Sequence, residues 1–143
     1  MKLSQRFDHA DNLLGSDSNG SIASVARPPV FGRQLYELIG RSKIVLNGAI
    51  DMAGRDRGNM RCFEAMGCGA LLVSDAGNYP DGMVPGATIE SYDSPEGAVE
   101  LVRESLDNWP VRAKMAAEGR RQVAELYAKS VQWKSFIDLV AQS

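Results

Sequence analysis

One histidine, two cysteines and no long apolar run are what this 143-residue sequence offers to the commonest kinds of catalytic, metal and membrane chemistry. His9 lies in a polar N-terminal stretch, where a solvated side chain accounts for it better than a general base does. A zinc site would need more ligands than His9 and two thiols supply. Cys62 and Cys68 stand six apart on or beside one short predicted helix, pointing in different directions, so they are expected as free thiols in a reducing cytoplasm. No stretch approaches the ~20 apolar residues of a bilayer-spanning helix. The opening residues MKLSQRFDHADNLLG also lack a signal-peptide core. A formal charge of -2, a pI near 5.4 and weak clustering of basic residues leave no footprint for nucleic acid. Also missing are the phosphate loop G-x-x-x-x-G-K-[ST], the nucleophile turn G-x-S-x-G, the dinucleotide fingerprint G-x-G-x-x-G and a D-x-D pair of metal-binding acids.

What is present reads as one globular domain. Hydrophobic residues make up 44% and charged residues 24%, ordinary values for a folded chain. A chain of this length buries roughly 68–70% of the surface its unfolded form exposes. Residues 1–27 are polar, carry GSDSNGS and predict an irregular segment, with a short helix near Phe7–Leu14. Pro28-Pro29 marks the boundary. Beyond it, short apolar runs alternate with helical patterns, which predicts an α/β fold over residues 28–143: a Rossmann-like, mainly parallel sheet flanked by helices. Strands are expected at Val30–Phe31, Ile44–Leu46, Ala70–Val73 and Thr88–Tyr92. A helix between the first two would bury Leu35, Leu38 and Ile39. Ser94-Pro95-Glu96 has the form of N-cap, first-turn proline and first-turn acid, opening a helix that would bury Val99, Val102 and Leu106. Pro110 starts another, with Val111, Met115, Val123 and Leu126 on its apolar stripe and Gly119 weakening its middle. Ser130 would cap a last helix whose stripe is Trp133, Phe136, Ile137 and Val140, covering the sheet.

The most informative stretch is Asp56–Leu72, DRGNMRCFEAMGCGALL. Asp56 lies in a glycine-bearing loop eight positions before Glu64, and Glu64 lies on a helix of about two turns that starts near Asn59. That helix ends at Gly67 or Gly69 and runs into LLVSD. In open α/β sheets, ligands bind beyond the carboxyl ends of the strands, which is where this loop falls. The helix start offers unpaired amides and a positive dipole end for phosphate. Gly58 permits close approach, and Arg57 and Arg61 can add charge-assisted hydrogen bonds. Two carboxylates with amides between them suit a ligand carrying hydroxyls at both ends and a diphosphate in the middle. Each feature also has a plainer reading: Glu64 can pair with Arg61 at i, i+3, and Asp56 can be one more loop acid.

The run LYELIGRSKIVLN, then GNMRCFEAMGCGALLVSD, the acidic turn NYPDGM and YDSPEGAVELVRESL resemble the C-terminal, donor-binding domain of GT-B-fold glycosyltransferases. The closest likeness is to the group 1 branch with spore-protein-like and CgeB-like members, and it covers roughly four fifths of the chain. That family carries an E-x7-E pair, here D-x7-E. The resemblance implies that Glu64 contacts the ribose hydroxyls, that Asp56 contacts the transferred sugar, and that Gly58, Asn59 and Met60 lie near the diphosphate. It implies a hexosyltransferase-like enzyme using a nucleotide sugar as donor, leaning towards retention, with no further cofactor; the lack of acid clusters gives no reason to expect a divalent metal. It also implies a partial donor domain, with two strands and the N-terminal acceptor-binding domain supplied elsewhere, and with little or no activity in the chain alone. An incomplete sheet would leave an edge near Val30 or Ile44 open to homodimer pairing. Two other readings compete: a non-catalytic assembly module that keeps the fold, and a receiver-like signalling domain, which lacks the paired acids it would need at the end of an early strand.

Overall fold

In the computed structural model, residues 27–48 and 54–142 are described. The chain divides into a unit over residues 1–30 and a unit over residues 31–143. Of the first, only Arg27–Val30 are described, without regular structure; residues 1–26 of the irregular segment expected over 1–27, with its helix near Phe7–Leu14, lie outside the described residues. The rest of the architecture is that of the second unit.

The expected strand at Val30–Phe31 is not formed. Two prolines precede it and cannot donate to a ladder, Gly32 ends it at once, and Phe31 is 67% exposed. The chain instead enters helix α1 (Arg33–Arg41), then strand β1 (Ile44–Leu46), helix α2 (Met60–Gly67), strand β2 (Leu71–Asp75), strand β3 (Glu90–Tyr92) and helices α3 (Pro95–Asp107), α4 (Trp109–Leu126) and α5 (Lys129–Ala141). The three strands form one parallel sheet in the order β1-β2-β3, with Ile44 opposite Leu71, Val73 opposite Glu90 and Asp75 opposite Tyr92. This is the Rossmann-like α/β class predicted. The third strand starts one residue later than expected and the fourth two later. Thr88 is taken by a turn, where its hydroxyl accepts from Val84 N at 2.7 Å and donates to Gly82 O at 2.8 Å.

Central strand β2 is sealed on both faces, as parallel sheets require. Leu71, Leu72, Val73 and Ser74 have no exposed surface. Leu72 packs with Cys62, Ala65 and Met66 of α2 and with Met83 and Ile89. Leu71 and Val73 pack on the other face with Met115 and Ala116 of α4, flanked by Leu101 and Val102 of α3. Arg112 of α4 pairs with Glu90 on β3 and, at 3.2 Å, with Glu104 on α3, tying the three elements together. Gly119 does more than weaken α4. A Cβ there would stand 2.7 Å from Thr88 O and 3.0 Å from Met66 Cε, so only glycine lets the helix cross this close.

Several helix faces differ from expectation. In α1 only Ile39 is buried, while Leu38 faces outward. In α3 the buried residues are Ala98 and Ser105, and Val99 and Leu106 face solvent. Small residues bring the helix close to the sheet, and the larger ones are displaced to its flank. In α4, Met115, Ala116 and Gly119 are buried and Val111 is exposed. Helix α5 is capped at Ala128 without a side-chain bond, not by Ser130, and buries none of its residues. Trp133, Phe136, Ile137 and Val140 are all exposed, so α3 and α4 cover that face of the narrow sheet and α5 does not.

Candidate functional site

A parallel sheet points all its carboxyl ends one way, and here that edge gathers Asn47 after β1, Ser74 and Asp75 on β2, and Tyr92 on β3. A polar network joins them. Tyr92 Oη donates to Asn47 O at 2.8 Å, Asn47 Nδ2 donates to Ser74 Oγ at 3.1 Å, and Tyr79 Oη donates to Asp75 O at 2.6 Å. Burial pushes the Tyr79 and Tyr92 phenols above their ordinary range, and the charge of Asp75 adds to the effect, so both remain donors.

Because α2 leads back into β2, its N-terminus opens on the same edge. Asn59 caps it, with Oδ1 accepting from Cys62 N at 3.3 Å. Asn59 Nδ2 also reaches Asn47 Oδ1 at 3.5 Å, a weak link between the cap and the end of β1. Helix geometry leaves the Met60 and Arg61 amides without intrahelical acceptors. Gly69, in the left-handed region at φ 85, lets the chain turn sharply out of α2 towards β2. The Cys62 thiol is buried and donates to Arg57 O at 3.0 Å; burial pushes its pKa up, which keeps it a protonated, structural thiol.

Two loops interlock in front of this edge. Residues after β1 pair with residues after β2 through Arg57 N to Asn78 O at 2.9 Å and Asn78 N to Arg55 O at 2.8 Å. A Cβ on Gly77 would stand 2.5 Å from Arg55 O, and one on Gly58 would stand 2.7 Å from the Pro80 ring. Both glycines are therefore demanded by the packing of the two loops. Asp56 sits in this clasp, bridged to Asn78, whose Nδ2 lies 3.4 Å from Asp56 Oδ1.

The predicted site residues are distributed unevenly. Arg57 Nε lies 2.7 Å from Asp75 Oδ2, an ionic contact whose N–H is not aimed at the oxygen, and its Nη1 donates to Gly54 O at 2.8 Å. Arg61 Nη1 meets Glu64 Oε2 at 2.8 Å, so the i, i+3 pair foreseen as the plainer reading is formed. Glu64 Oε1 lies 3.4 Å from Tyr36 Oη of α1. Gly58, Asn59 and Met60 line the start of α2. No hydrogen bond or ion pair joins Asp56 to Glu64, and residues 49–53 of the expected Gly48–Gly58 loop lie outside the described residues. Among the described residues no group of three or more His, Cys, Asp or Glu side chains is spaced to hold a metal ion. Asn47, Tyr36, Asn78 and Tyr79 join the edge without having been singled out as site residues. Strand-end position pointed to Asn47, but nothing in the local pattern pointed to Tyr36, 28 residues before its partner.

A family pattern described as glycosyl transferase-like matches residues 3–137. The chain belongs to the glycosyl transferase-like family. No curated protein and no solved structure matches it. The glycosyl transferase-like match runs from before the Pro28-Pro29 boundary through α4 and into α5, and takes in the whole carboxyl edge. None of the described helices is long and apolar enough to cross a membrane.

Proposed function

We propose that this glycosyl transferase-like chain is the donor-binding, C-terminal part of a GT-B-fold enzyme of the group 1, CgeB-like branch, and that it holds a nucleotide sugar at the carboxyl edge of its sheet. The observation that supports this most is the position of Glu64: one turn inside α2, 13% exposed, with a single donor among the described residues near each carboxylate oxygen. A carboxylate has about four acceptor positions, so two remain for the hydroxyls of a ribose. The amides of Met60 and Arg61 at the helix start receive the diphosphate, favoured by the dipole, with Asn59 and Gly58 shaping the approach. Arg61, beside that opening, screens the leaving diphosphate, and Arg57 contributes its charge from its seat on Asp75. Asp56, exposed on the clasp, takes the hydroxyls of the transferred hexose. Rate enhancement in this reading comes from positioning and from electrostatic stabilisation of the departing diphosphate.

The acceptor-binding wall belongs in this reading to a further domain or a partner subunit in a reducing cytoplasm, so the chain alone turns over little or no substrate. Among the described residues β1 pairs only with β2, and its other edge is the surface through which two copies would join. The test is calorimetric titration of the chain with UDP, GDP, ADP and their sugar conjugates. One nucleotide series is expected to bind, and Glu64→Ala should weaken it by roughly 1.5–3 kcal/mol, the value of a hydrogen bond to a charged group. Equal affinity in the variant contradicts the role of Glu64. Helix α5, apolar and wholly exposed, favours a second reading as a non-catalytic assembly module, which predicts no nucleotide binding at all.

A further inference from the structure

We infer that Tyr36 is a positioning residue for the donor, its hydroxyl holding the Glu64 carboxylate in the orientation that accepts a vicinal diol. The inference rests on the donor-binding reading and adds to it a residue from a different helix. Glu64 and Arg61 form an i, i+3 pair on α2 at 2.8 Å, and a pair confined to one helix can swing as a unit about its own side-chain torsions. The one cross-element contact to the carboxylate among the described residues is Tyr36 Oη, 3.4 Å from Oε1. It comes from α1, which leads directly into β1, so it references the carboxylate to the sheet and not only to its own helix.

The two donors also divide the oxygens. Arg61 serves Oε2 and Tyr36 faces Oε1, leaving one acceptor position on each. Two acceptors on adjacent oxygens match the 2′- and 3′-hydroxyls of a ribose, one apiece. A carboxylate free to rotate would present that pair only part of the time. Tyr36 is 48% exposed, so removing its hydroxyl disturbs little packing. The contact is long, which places the expected effect at the modest end of hydrogen-bond contributions.

The experiment compares the whole chain, Tyr36→Phe and Glu64→Ala in titrations with UDP, GDP and ADP and with the 2′-deoxy form of whichever binds. The chain should prefer the ribonucleotide. Tyr36→Phe should weaken the ribonucleotide about three- to tenfold while leaving the 2′-deoxy form unchanged, so that the preference narrows. A general loss of structure would lower both affinities together. If Glu64→Ala abolishes the preference and Tyr36→Phe keeps it whole, the inference is overturned and the donor reading stands. If the unaltered chain binds a nucleotide without preferring the ribose form, the inference and the ribose role of Glu64 are overturned while donor binding stands; if it binds no nucleotide, the donor reading falls with them.

Discussion

Helices α2 and α5 are treated oppositely by the same fold. Helix α2 has eight residues, of which Cys62, Ala65 and Met66 are buried, and it is capped by Asn59 and delivered straight into a strand with four fully buried residues. Helix α5 has thirteen residues, with Trp133 and Phe136 packed on each other at 5.7 Å between ring centroids, and buries nothing. Helix α5 carries six large apolar side chains against three in α2, and by that measure it is the better candidate for a core helix. Apolar periodicity says which face of a helix could be buried; whether a surface is waiting for it is decided by the sheet, and three strands leave room on one face for only α3 and α4. The difference also separates roles. The candidate site is carried by the sealed region: Asn59 caps α2 by accepting from the backbone of buried Cys62, and Glu64 stands one turn inside the helix next to buried Ala65.

The sharpest way to break this contrast is to cut into each region. Leu72→Ala, emptying the space between α2 and β2, should cost about 2–5 kcal/mol in denaturant unfolding. A loss of a few tenths would mean that the α2–β2 block is not the core. Asn59→Ala removes the cap of α2 and should cost about 1 kcal/mol of stability, with weaker nucleotide binding alongside, since the helix start frays where the phosphate would sit. Phe136→Ser on α5 should change stability by no more than about 0.5 kcal/mol and leave nucleotide affinity as it was. A large destabilisation there would show that α5 is packed in solution and that the comparison is wrong.

The parts of the fold that were legible in the sequence were those with local chemical signals. Asn59 before an apolar run, Ser94 before Pro95 and Glu96, and LLVSD after the glycines of GCG each marked a boundary to within a residue or two. Val30–Phe31 misled because two apolar residues look like a strand whether or not a neighbour exists to pair with them. The face of α3 was misread because Ala98 and Ser105 make its contact while bulkier Val99 stays outside. At the site, Glu64 and Asp56 stood out through their spacing. The network that frames them did not, because Asn47 to Ser74, Asp56 to Asn78 and Tyr36 to Glu64 are meetings across 22 to 28 residues of chain. Only the folded sheet brings such partners together.

The most direct test of the donor site is hydrogen exchange of the chain with and without the nucleotide sugar that binds. Slowed exchange is expected at Gly58–Glu64 and at the clasp around Asn78, with α5 unchanged. Slowing confined to α5, or to the amino end of the sheet, would contradict the donor site.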